Sequence, residues 1–250
     1  MLLMTGAGSV NKKVASSGNT FSGSFVAAST QYAKVENNLG IDGGNITIEM
    51  WIYPTTLPTS GGNNQLGFIQ QSSATSNVSF QIIYFTSDDV NYYLRVVRTK
   101  HGVGSETADY LIGNVLNTWT HVVMTYDGTN LKSYTSSAGA HTERATIAAS
   151  GSGNAGQAWN GLTVAGWSGA DQSTYSAPSQ TMGGQEDDIR VWNTVRTTTE
   201  MDDNDTVQLV GNETGLVAYY KLNNAWTDST ANAFNLTDVN SPTFSSNVPF

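Results

Sequence analysis

The sequence predicts an all-β fold, a two-sheet antiparallel jelly-roll sandwich with one short helix. Apolar and polar residues alternate with period two over many short runs, as in strands that bury one face. Gly, Asn, Asp and Ser separate these runs, and almost no segment has the 3.6-residue period of a helix. Half-polar strands favour antiparallel sheets, because an antiparallel sheet can have one face on the core and the other in water. A parallel sheet would need helical crossovers between its strands, and almost no helical segment is visible.

The alternation predicts the strands in chain order. At residues 46–54, isoleucine and methionine alternate with polar or aromatic residues, and Pro54 ends the run. The pair Asp127-Gly128 separates two later runs and predicts a hairpin, since both residues tolerate a positive φ. Further strands are predicted at residues 79–85, 92–99, 120–126, 131–135, 161–165, 188–192 and 216–221.

One helix is predicted near residues 197–203. Thr197 and Glu200 stand three apart, which is the spacing of a capping box. No interior linker divides the chain and no repeat of 20–50 residues is visible. We therefore predict a single domain at residues 22–250, preceded by a flexible Gly/Ser-rich arm at residues 1–21.

Composition excludes several classes of protein. The 250 residues include 11 Lys+Arg against 20 Asp+Glu, a net charge of −9, with no Lys/Arg run for nucleic acid. The longest apolar run, residues 216–220, is far shorter than the roughly 20 residues of a membrane-spanning helix. The absence of cysteine excludes disulfides and Cys-based zinc sites. We expect neither nucleic-acid binding nor membrane insertion.

The N-terminal arm has two readings. Its apolar start, Leu2, Leu3 and Met4 after the initiator, is too short for the apolar stretch of about 7–15 residues in a secretory signal. We therefore expect no Sec-type export. The arm either packs against its own domain or docks into a neighbouring subunit, with these three residues as the anchor.

Several blocks of sequence resemble one family. Residues 184–193, followed by Arg196 and residues 199–201, are similar to the "G-x-I-D-E-V-R-I-W-N" signature of laminin G-like jelly rolls. Residues 25–35, 46–54, 119–128 and 215–232 resemble further family blocks in the same order. The chain thus resembles the concanavalin A-like lectin and glucanase superfamily, which includes the pentraxins. Residues 134–137 depart from the family's usual hairpin, so that loop is left open.

The resemblance implies one structural calcium. In relatives of this fold, an aspartate of the "D-x-V-R-V" type and carbonyls from the turn before the first long strand bind the ion. By that resemblance Asp187 supplies the carboxylate, and Asp42, Gly43 and Gly44 supply the turn. The alternative is that Asp187 accepts hydrogen bonds from backbone amides.

Catalysis is not expected. Retaining glucanases of this fold need two carboxyl groups about 5 Å apart. Glu49 stands alone on its strand, and strict alternation would point the neighbouring Asp187 and Asp188 to opposite faces. The three histidines, His101, His121 and His141, are not expected to cluster.

Aromatic residues are the candidates for sugar binding, because an aromatic face packs on the apolar face of a pyranose. The candidates are Trp159, Trp167, Trp51, Tyr93 and Tyr175. Trp159 and Trp167 lie in a Gly/Asn/Ser-rich stretch, and such loops often carry binding sites. The alternative for Trp51 is packing at the edge of the core.

Three functions remain. The first is a non-catalytic structural or adhesion module on a virion surface, such as a phage capsid decoration or fibre component with weak binding of host glycans. It would assemble in the host cytoplasm and contact other virion subunits, or its own copies, through the arm. The second is an exported, extracellular carbohydrate-binding lectin. The third is a glycoside hydrolase of the same fold. Fold alone does not decide among them.

Overall fold

The computed structural model describes residues 18–37, 39–41, 44–61, 65–73, 78–100, 104–137, 139–149, 159–167 and 180–250. These residues form two stacked sheets, almost wholly antiparallel, and one α-helix. The predicted fold class is confirmed. Among these residues no helix is long and apolar enough to cross a membrane.

Sheet A has eight strands among the described residues. In spatial order these are β10 (Thr142–Ala148), β9 (Asn130–Ser136), β8 (Thr120–Tyr126), β3 (Ile46–Pro54), β14 (Gly184–Trp192), β1 (Ser22–Phe25) and β17 (Thr243–Ser245), with β15 (Leu216–Tyr220) also paired to β14. The chain enters this sheet early and returns to it late, so strands distant in sequence become neighbours.

Sheet B has nine strands among the described residues. In spatial order these are β16 (Thr237–Val239), β2 (Tyr32–Val35), β11 (Trp159–Val164), β4 (Gln65–Ser73), β5 (Val78–Thr86), β6 (Tyr92–Lys100) and β7 (Gly104–Leu111), while the short strands β12 (Gly166–Trp167) and β13 (Gln180–Thr181) pair beside β4.

The core lies between the inner faces of the two sheets. Ile48, Met50 and Ile52 from β3 are fully buried, and so are Ile82 from β5 and Val96 from β6. Burial of a single such side chain contributes about 1.5–3 kcal/mol. The period-two pattern therefore arises because alternate residues of each strand enter this shared interior.

Helix α1 (Thr198–Asn204) covers part of the outer face of sheet A. Thr197 is its N-cap, and the predicted capping box with Glu200 is present. Met201 packs with Val123 and Tyr134 of the sheet. The chain after the helix also lies on this face, where Leu209 joins a cluster with residues of β14 and β15.

The hairpin turn was predicted correctly from the sequence, but several strands were not. Asp127 and Gly128 lie in the hairpin between β8 and β9, with Gly128 at φ 92 and the Asp127 carboxylate accepting from the N–H groups of Thr129 and Asn130. The central strand β4 was not predicted, and neither were the edge strands β7 and β10. The exposed, charged sequences of the two edge strands lack a clear apolar period because they border the sheets.

Candidate functional site

The outer face of sheet B carries an aromatic surface at one end of β5, β6 and β7. The cross-strand register places Phe85 opposite Tyr93, and Tyr93 opposite Leu111. Two residues further along β6, Arg95 lies opposite Asp109. Directly opposed residues share one face of the sheet, as do residues two apart on a strand. These five residues form a single surface, which we call the platform.

Three contacts hold the platform together. The rings of Phe85 and Tyr93 stack, with their centroids 5.1 Å apart and an interplanar angle of 22°. The Cζ atom of Arg95 lies 4.0 Å from the centroid of the Phe85 ring. Nε and Nη2 of Arg95 each donate to one oxygen of Asp109, both over 2.7 Å. The result is an apolar stack bordered by a bidentate ion pair.

Polar groups of the platform remain able to bind a ligand. Tyr93 is half-buried, and within the described part of the chain nothing hydrogen-bonds its hydroxyl. The same holds for the amide of Gln65, which lies opposite Phe85 on β4. An aromatic ring flanked by a phenol, an amide and a guanidinium can pack against a pyranose and hydrogen-bond its hydroxyls.

A polar row crosses sheet B beside the platform. The register aligns seven residues from β16 to β7 on the same face: Thr237, Lys34, Thr163, Gln70, Gln81, Val97 and Thr107. Six of the seven are polar or charged, and the central ones are buried. The central members Gln70, Gln81 and Thr163 are withdrawn from solvent, so only the ends of the row are accessible to a ligand.

Of the five platform residues, only Tyr93 was predicted from the sequence. Phe85 and Tyr93 each stand four residues from Asp89, so a hairpin centred on Asp89 would have paired them. This equal spacing of Phe85 and Tyr93 about Asp89 was the signal in the sequence that could have identified the pair. The contact of Arg95 with Asp109 depends on the register of β7, a strand that the sequence analysis missed.

The other sugar-binding candidates fall elsewhere. Trp51 is only 1% exposed, and its Nε1 donates to the carbonyl of Asp205 over 2.7 Å. The prediction is wrong for Trp51, because a buried ring offers no face to a sugar. Trp159 lies on β11 and Trp167 on β12, but their side chains are outside the described part of the protein, as is all of Tyr175.

The predicted calcium ligands are not brought together by the described residues. Asp187 lies opposite Trp51, whereas Gly44 precedes the other end of β3 at Ile46. Five residues of strand, roughly 17 Å, separate Trp51 from Ile46. Asp42 and Gly43 lie outside the described residues. No group of three or more His, Asp or Glu in the described ranges is arranged to hold a metal ion. Calcium stays a prediction.

Asp187 has protein partners instead. It accepts hydrogen bonds from Nδ2 of Asn19 over 2.8 Å and from the backbone N–H of Asp188 over 2.9 Å. Burial raises its pKa well above the ordinary value, and the neighbouring charge of Asp188 raises it further.

Strand β14 does not alternate strictly, which corrects one expectation. The register shifts between Asp187 and Arg190, and Asp188 adopts φ 51. Because of this bulge, both residues have partners on the outer side of sheet A. Asp187 lies opposite Trp51, whose ring donates to Asp205, and Asp188 accepts from Arg190 and Tyr219.

Arg190 joins the carboxylates of Glu49 and Asp188 in a buried network. Its Nη1 lies 3.5 Å from Glu49, and its Nη2 donates to Asp188 and to the carbonyls of Asn204 and Val207. Burial raises the pKa of Asp188 to about 6, against the lowering effect of Arg190. The side chains of this network are 0–1% exposed, so it ties the chain after α1 to sheet A and does not face a cleft.

Two histidines cluster, contrary to expectation. Nδ1 of His121 lies 2.7 Å from Nε2 of His141, and Nδ1 of His141 lies 2.7 Å from Oδ1 of Asp202 in α1. Twenty residues separate the two histidines, and the pairing arises where the chain before β10 meets β8. His101 lies outside the described residues.

Glu186 is a buried acid that the sequence analysis did not single out. It is fully buried and lies opposite Ile52 and Gly23. Burial raises its pKa well above the ordinary value, while the backbone of Ala165 has an opposing effect. The carboxyl group is thereby held in its protonated form over a wide pH range.

The arm is described only at its end. Leu2, Leu3 and Met4 lie outside the described residues, so the anchoring role stays a prediction. The backbone N–H groups of Thr20 and Phe21 donate to Oδ1 of Asn223 over 2.9 and 3.0 Å. This last part of the predicted arm is therefore bound to its own domain.

Comparison with known proteins gives one family match. A family model described as the concanavalin A-like lectin/glucanases superfamily matches residues 27–202, well over half of the chain. A search of curated proteins found no match to the sequence.

Solved structures share the fold at low sequence identity. A proposed carbohydrate-binding protein from Bacteroides ovatus is 18% identical, with a TM-score of 0.66 over 90% of this chain and 59% of that one. A heptameric SAP-like pentraxin from Limulus polyphemus is 14% identical, with a TM-score of 0.53 over 75% and 82%. The enzymatically active domain of tailspike protein 2 from bacteriophage CBA120 is 13% identical, with a TM-score of 0.52 over 86% of this chain and 34% of that one. The chain thus spans little more than half of the Bacteroides protein.

Proposed function

Because the chain belongs to the concanavalin A-like lectin/glucanase superfamily, we propose that it is a non-catalytic carbohydrate-binding module whose glycan site is the platform. The observation that carries the proposal is the stack of Phe85 and Tyr93 beside the Arg95–Asp109 ion pair. The stack supplies an apolar face, and the polar groups around it supply hydrogen bonds to sugar hydroxyls.

The buried carboxylates support a non-catalytic role. A glycosidase needs two carboxyl groups on either side of the scissile bond, about 5–5.5 Å apart for retention or 6.5–9.5 Å for inversion. In the described part of the chain, the carboxylates that the fold brings together around Arg190 are withdrawn from solvent. The Asp109 carboxylate on the platform is engaged by Arg95.

One of the similar structures supports the carbohydrate-binding part of this proposal. The Bacteroides protein is described as carbohydrate-binding, and it shares the fold over 90% of this chain. At 18% identity the likeness concerns the fold, so the platform residues of this chain are what the proposal depends on.

A virion surface is the proposed setting. A phage tailspike contains a domain of this fold, so the fold occurs on phage particles. In this setting residues 1–17 of the arm attach the module to other virion subunits, and the platform holds the particle weakly to host glycans. The alternative setting is an exported lectin. Deletion of residues 1–17, which keeps the contacts of Asn19, Thr20 and Phe21 with their own domain, should abolish incorporation into particles in the first case, and unchanged incorporation would contradict it.

A glycan microarray tests the binding function. The full chain should bind a subset of glycans, and Tyr93→Ala should reduce that binding about tenfold or more, the loss expected of one aromatic sugar contact. Trp119→Ala is the matched control, because Trp119 is a half-buried aromatic near Tyr53 of sheet A. Loss of binding in Trp119→Ala alone would move the site to sheet A. Absence of any binding would contradict the function, and release of reducing sugar from a bound glycan would contradict the non-catalytic role.

A further inference from the structure

Resting on the proposed function, we infer that the platform selects uncharged glycans and that Asp109 sets this selectivity by holding the guanidinium of Arg95. This selectivity follows from how Arg95, the cation of the platform, is bound and from the charges beside it.

The guanidinium of Arg95 is already paired. Its Nε and Nη2 donate in parallel to the two oxygens of Asp109, the geometry by which arginine binds a carboxylate or sulfate. A glycan carboxylate would have to compete with Asp109 for the Nε and Nη2 donors of the guanidinium. Nη1 donates to no residue in the described ranges and can still donate to a neutral sugar hydroxyl.

Phe85 restricts Arg95 as well. The guanidinium carbon lies 4.0 Å from the ring centroid, so a rotation away from Asp109 would also lose the cation–π contact. The side chains of Arg95 and Asp109 are 26% and 33% exposed, so the pair lies at the surface, and its bidentate geometry together with the contact to Phe85 restrains it. The ion pair therefore behaves as a fixed, uncharged part of the surface.

Among the described residues, the additional charges next to the platform in the chain are acidic. The hairpin between Phe85 and Tyr93 carries Asp88 and Asp89. Hydrogen bonds from Asn91 lower the pKa of Asp88 to about 2, and hydrogen bonds from Ser60 lower the pKa of Asp89. Both are therefore ionised at neutral pH, and they repel an anionic ligand.

Cations of the same face lie farther away. Lys34 occupies the polar row on β2, four strands from β6, which is roughly 19 Å at the usual strand spacing. That distance exceeds the screening length of about 8 Å at physiological salt. Lys34 is also paired with Glu36. The net charge of −9 adds a general repulsion of polyanions.

The experiment uses pairs of related ligands, one neutral and one acidic. Suitable pairs are lactose with 3′-sialyllactose, N-acetyllactosamine with its 6-sulfated form, and methyl-esterified with free oligogalacturonide. The full chain should bind the neutral member of a pair more tightly, and its affinity should change less than about twofold between 50 mM and 500 mM NaCl. Tighter binding of the acidic members would overturn the inference and leave the proposed function intact. No binding of any glycan would overturn both.

Asp109→Asn tests the role of Asp109. The variant frees the charge of Arg95, so the ratio of acidic to neutral affinity should rise about fivefold or more, as expected for one partly exposed charge contact. Asp203→Asn is the control, because Asp203 is exposed on α1 and its loss changes the net charge equally. An equal shift in both variants, or no shift in Asp109→Asn, would overturn the inference. Circular dichroism of both variants establishes that they are folded.

Discussion

His121 and His141 share a buried hydrogen bond of 2.7 Å between Nδ1 and Nε2 beneath helix α1. His141 extends this contact to Asp202 in the helix, through both its ring nitrogen Nδ1 and its backbone N–H. On the other side, the His121 ring lies 5.1 Å from the ring of Trp51. The helix is thus connected to sheet A by a chain of polar contacts as well as by Met201.

His141→Ala should lower the free energy of unfolding by about 2–3 kcal/mol. The variant removes the partner of a buried imidazole and of the Asp202 carboxylate, and each group left without that partner is costly. His121→Ala combined with His141→Ala should cost less than the sum of the single variants, by at least about 0.5 kcal/mol. Urea unfolding at pH 7.5 measures both. Thr142→Ala, an exposed neighbour, is the control, and additive losses would contradict a direct coupling.

Glu186→Gln should make stability less dependent on pH. In the unfolded chain a glutamate ionises near pH 4.3, whereas burial holds the folded-state pKa of Glu186 well above its ordinary value. The native state therefore keeps a proton that the unfolded state releases. Its contribution to stability is complete below about pH 4.3 and is lost as the pH rises, by about 1.4 kcal/mol for each pH unit.

Glutamine has the same shape and never ionises, so the stability of Glu186→Gln relative to the natural chain should increase between pH 5 and pH 8 by at least about 1.4 kcal/mol. Guanidinium unfolding at several pH values measures this difference. Asp203→Asn removes an exposed carboxylate and should show no such trend. A constant difference between Glu186→Gln and the natural chain would argue against a raised pKa.

Arg190→Met should destabilise the fold by about 3–5 kcal/mol, because it leaves Glu49 and Asp188 buried without their cation. Arg190→Lys should recover less than half of this loss. A single ammonium cannot donate at once to two carboxylates and to the carbonyls of Asn204 and Val207. Thermal unfolding measures both Arg190 variants against Arg196→Met as the control. The ion pair of Arg196 with Glu200 is more exposed, so its loss should cost less than about 1 kcal/mol. Full recovery by lysine would show that only the charge matters.

Gly184→Ala should be far more damaging than Gly128→Ala. Both glycines have positive φ, at 140° and 92°. An added Cβ at Gly184 would lie 2.2 Å from the carbonyl oxygen of Tyr53, whereas one at Gly128 meets no atom within 4 Å. We expect about 1–3 kcal/mol for Gly128→Ala from backbone strain alone, and a loss above about 4 kcal/mol for Gly184→Ala. Denaturant midpoints measure both, and similar losses would mean that the sheet at Gly184 can move apart.

The fold and its local signals were predictable because they depend on neighbouring residues. Alternation identified the central strands such as β3 and β8, since each buries one face. The capping box at Thr197 and the turn at Asp127-Gly128 were readable because their hydrogen bonds join residues only a few positions apart.

The candidate site was only partly predictable. Tyr93 was named as an aromatic candidate, but its partners Phe85, Arg95 and Asp109 come from three strands whose register decides which side chains meet. Trp51 was expected on the same grounds as Tyr93. Composition and spacing cannot show that the chain after helix α1 reaches the Trp51 ring, or that His121 and Phe250 pack beside it.

What the sequence determined by itself is a two-sheet sandwich with a capped helix, because alternation, turns and caps act over a few residues. Only the tertiary structure decided that a bulge in β14 places the side chains of Asp187 and Asp188 on the same side of sheet A. The same holds for the contact of His121 with His141 and for the ion pair of Asp109 with Arg95 on the outer face of sheet B. The reason is physical. A single-residue shift in a strand reverses which side of the sheet a side chain occupies, and such shifts are set by contacts between segments far apart in the chain.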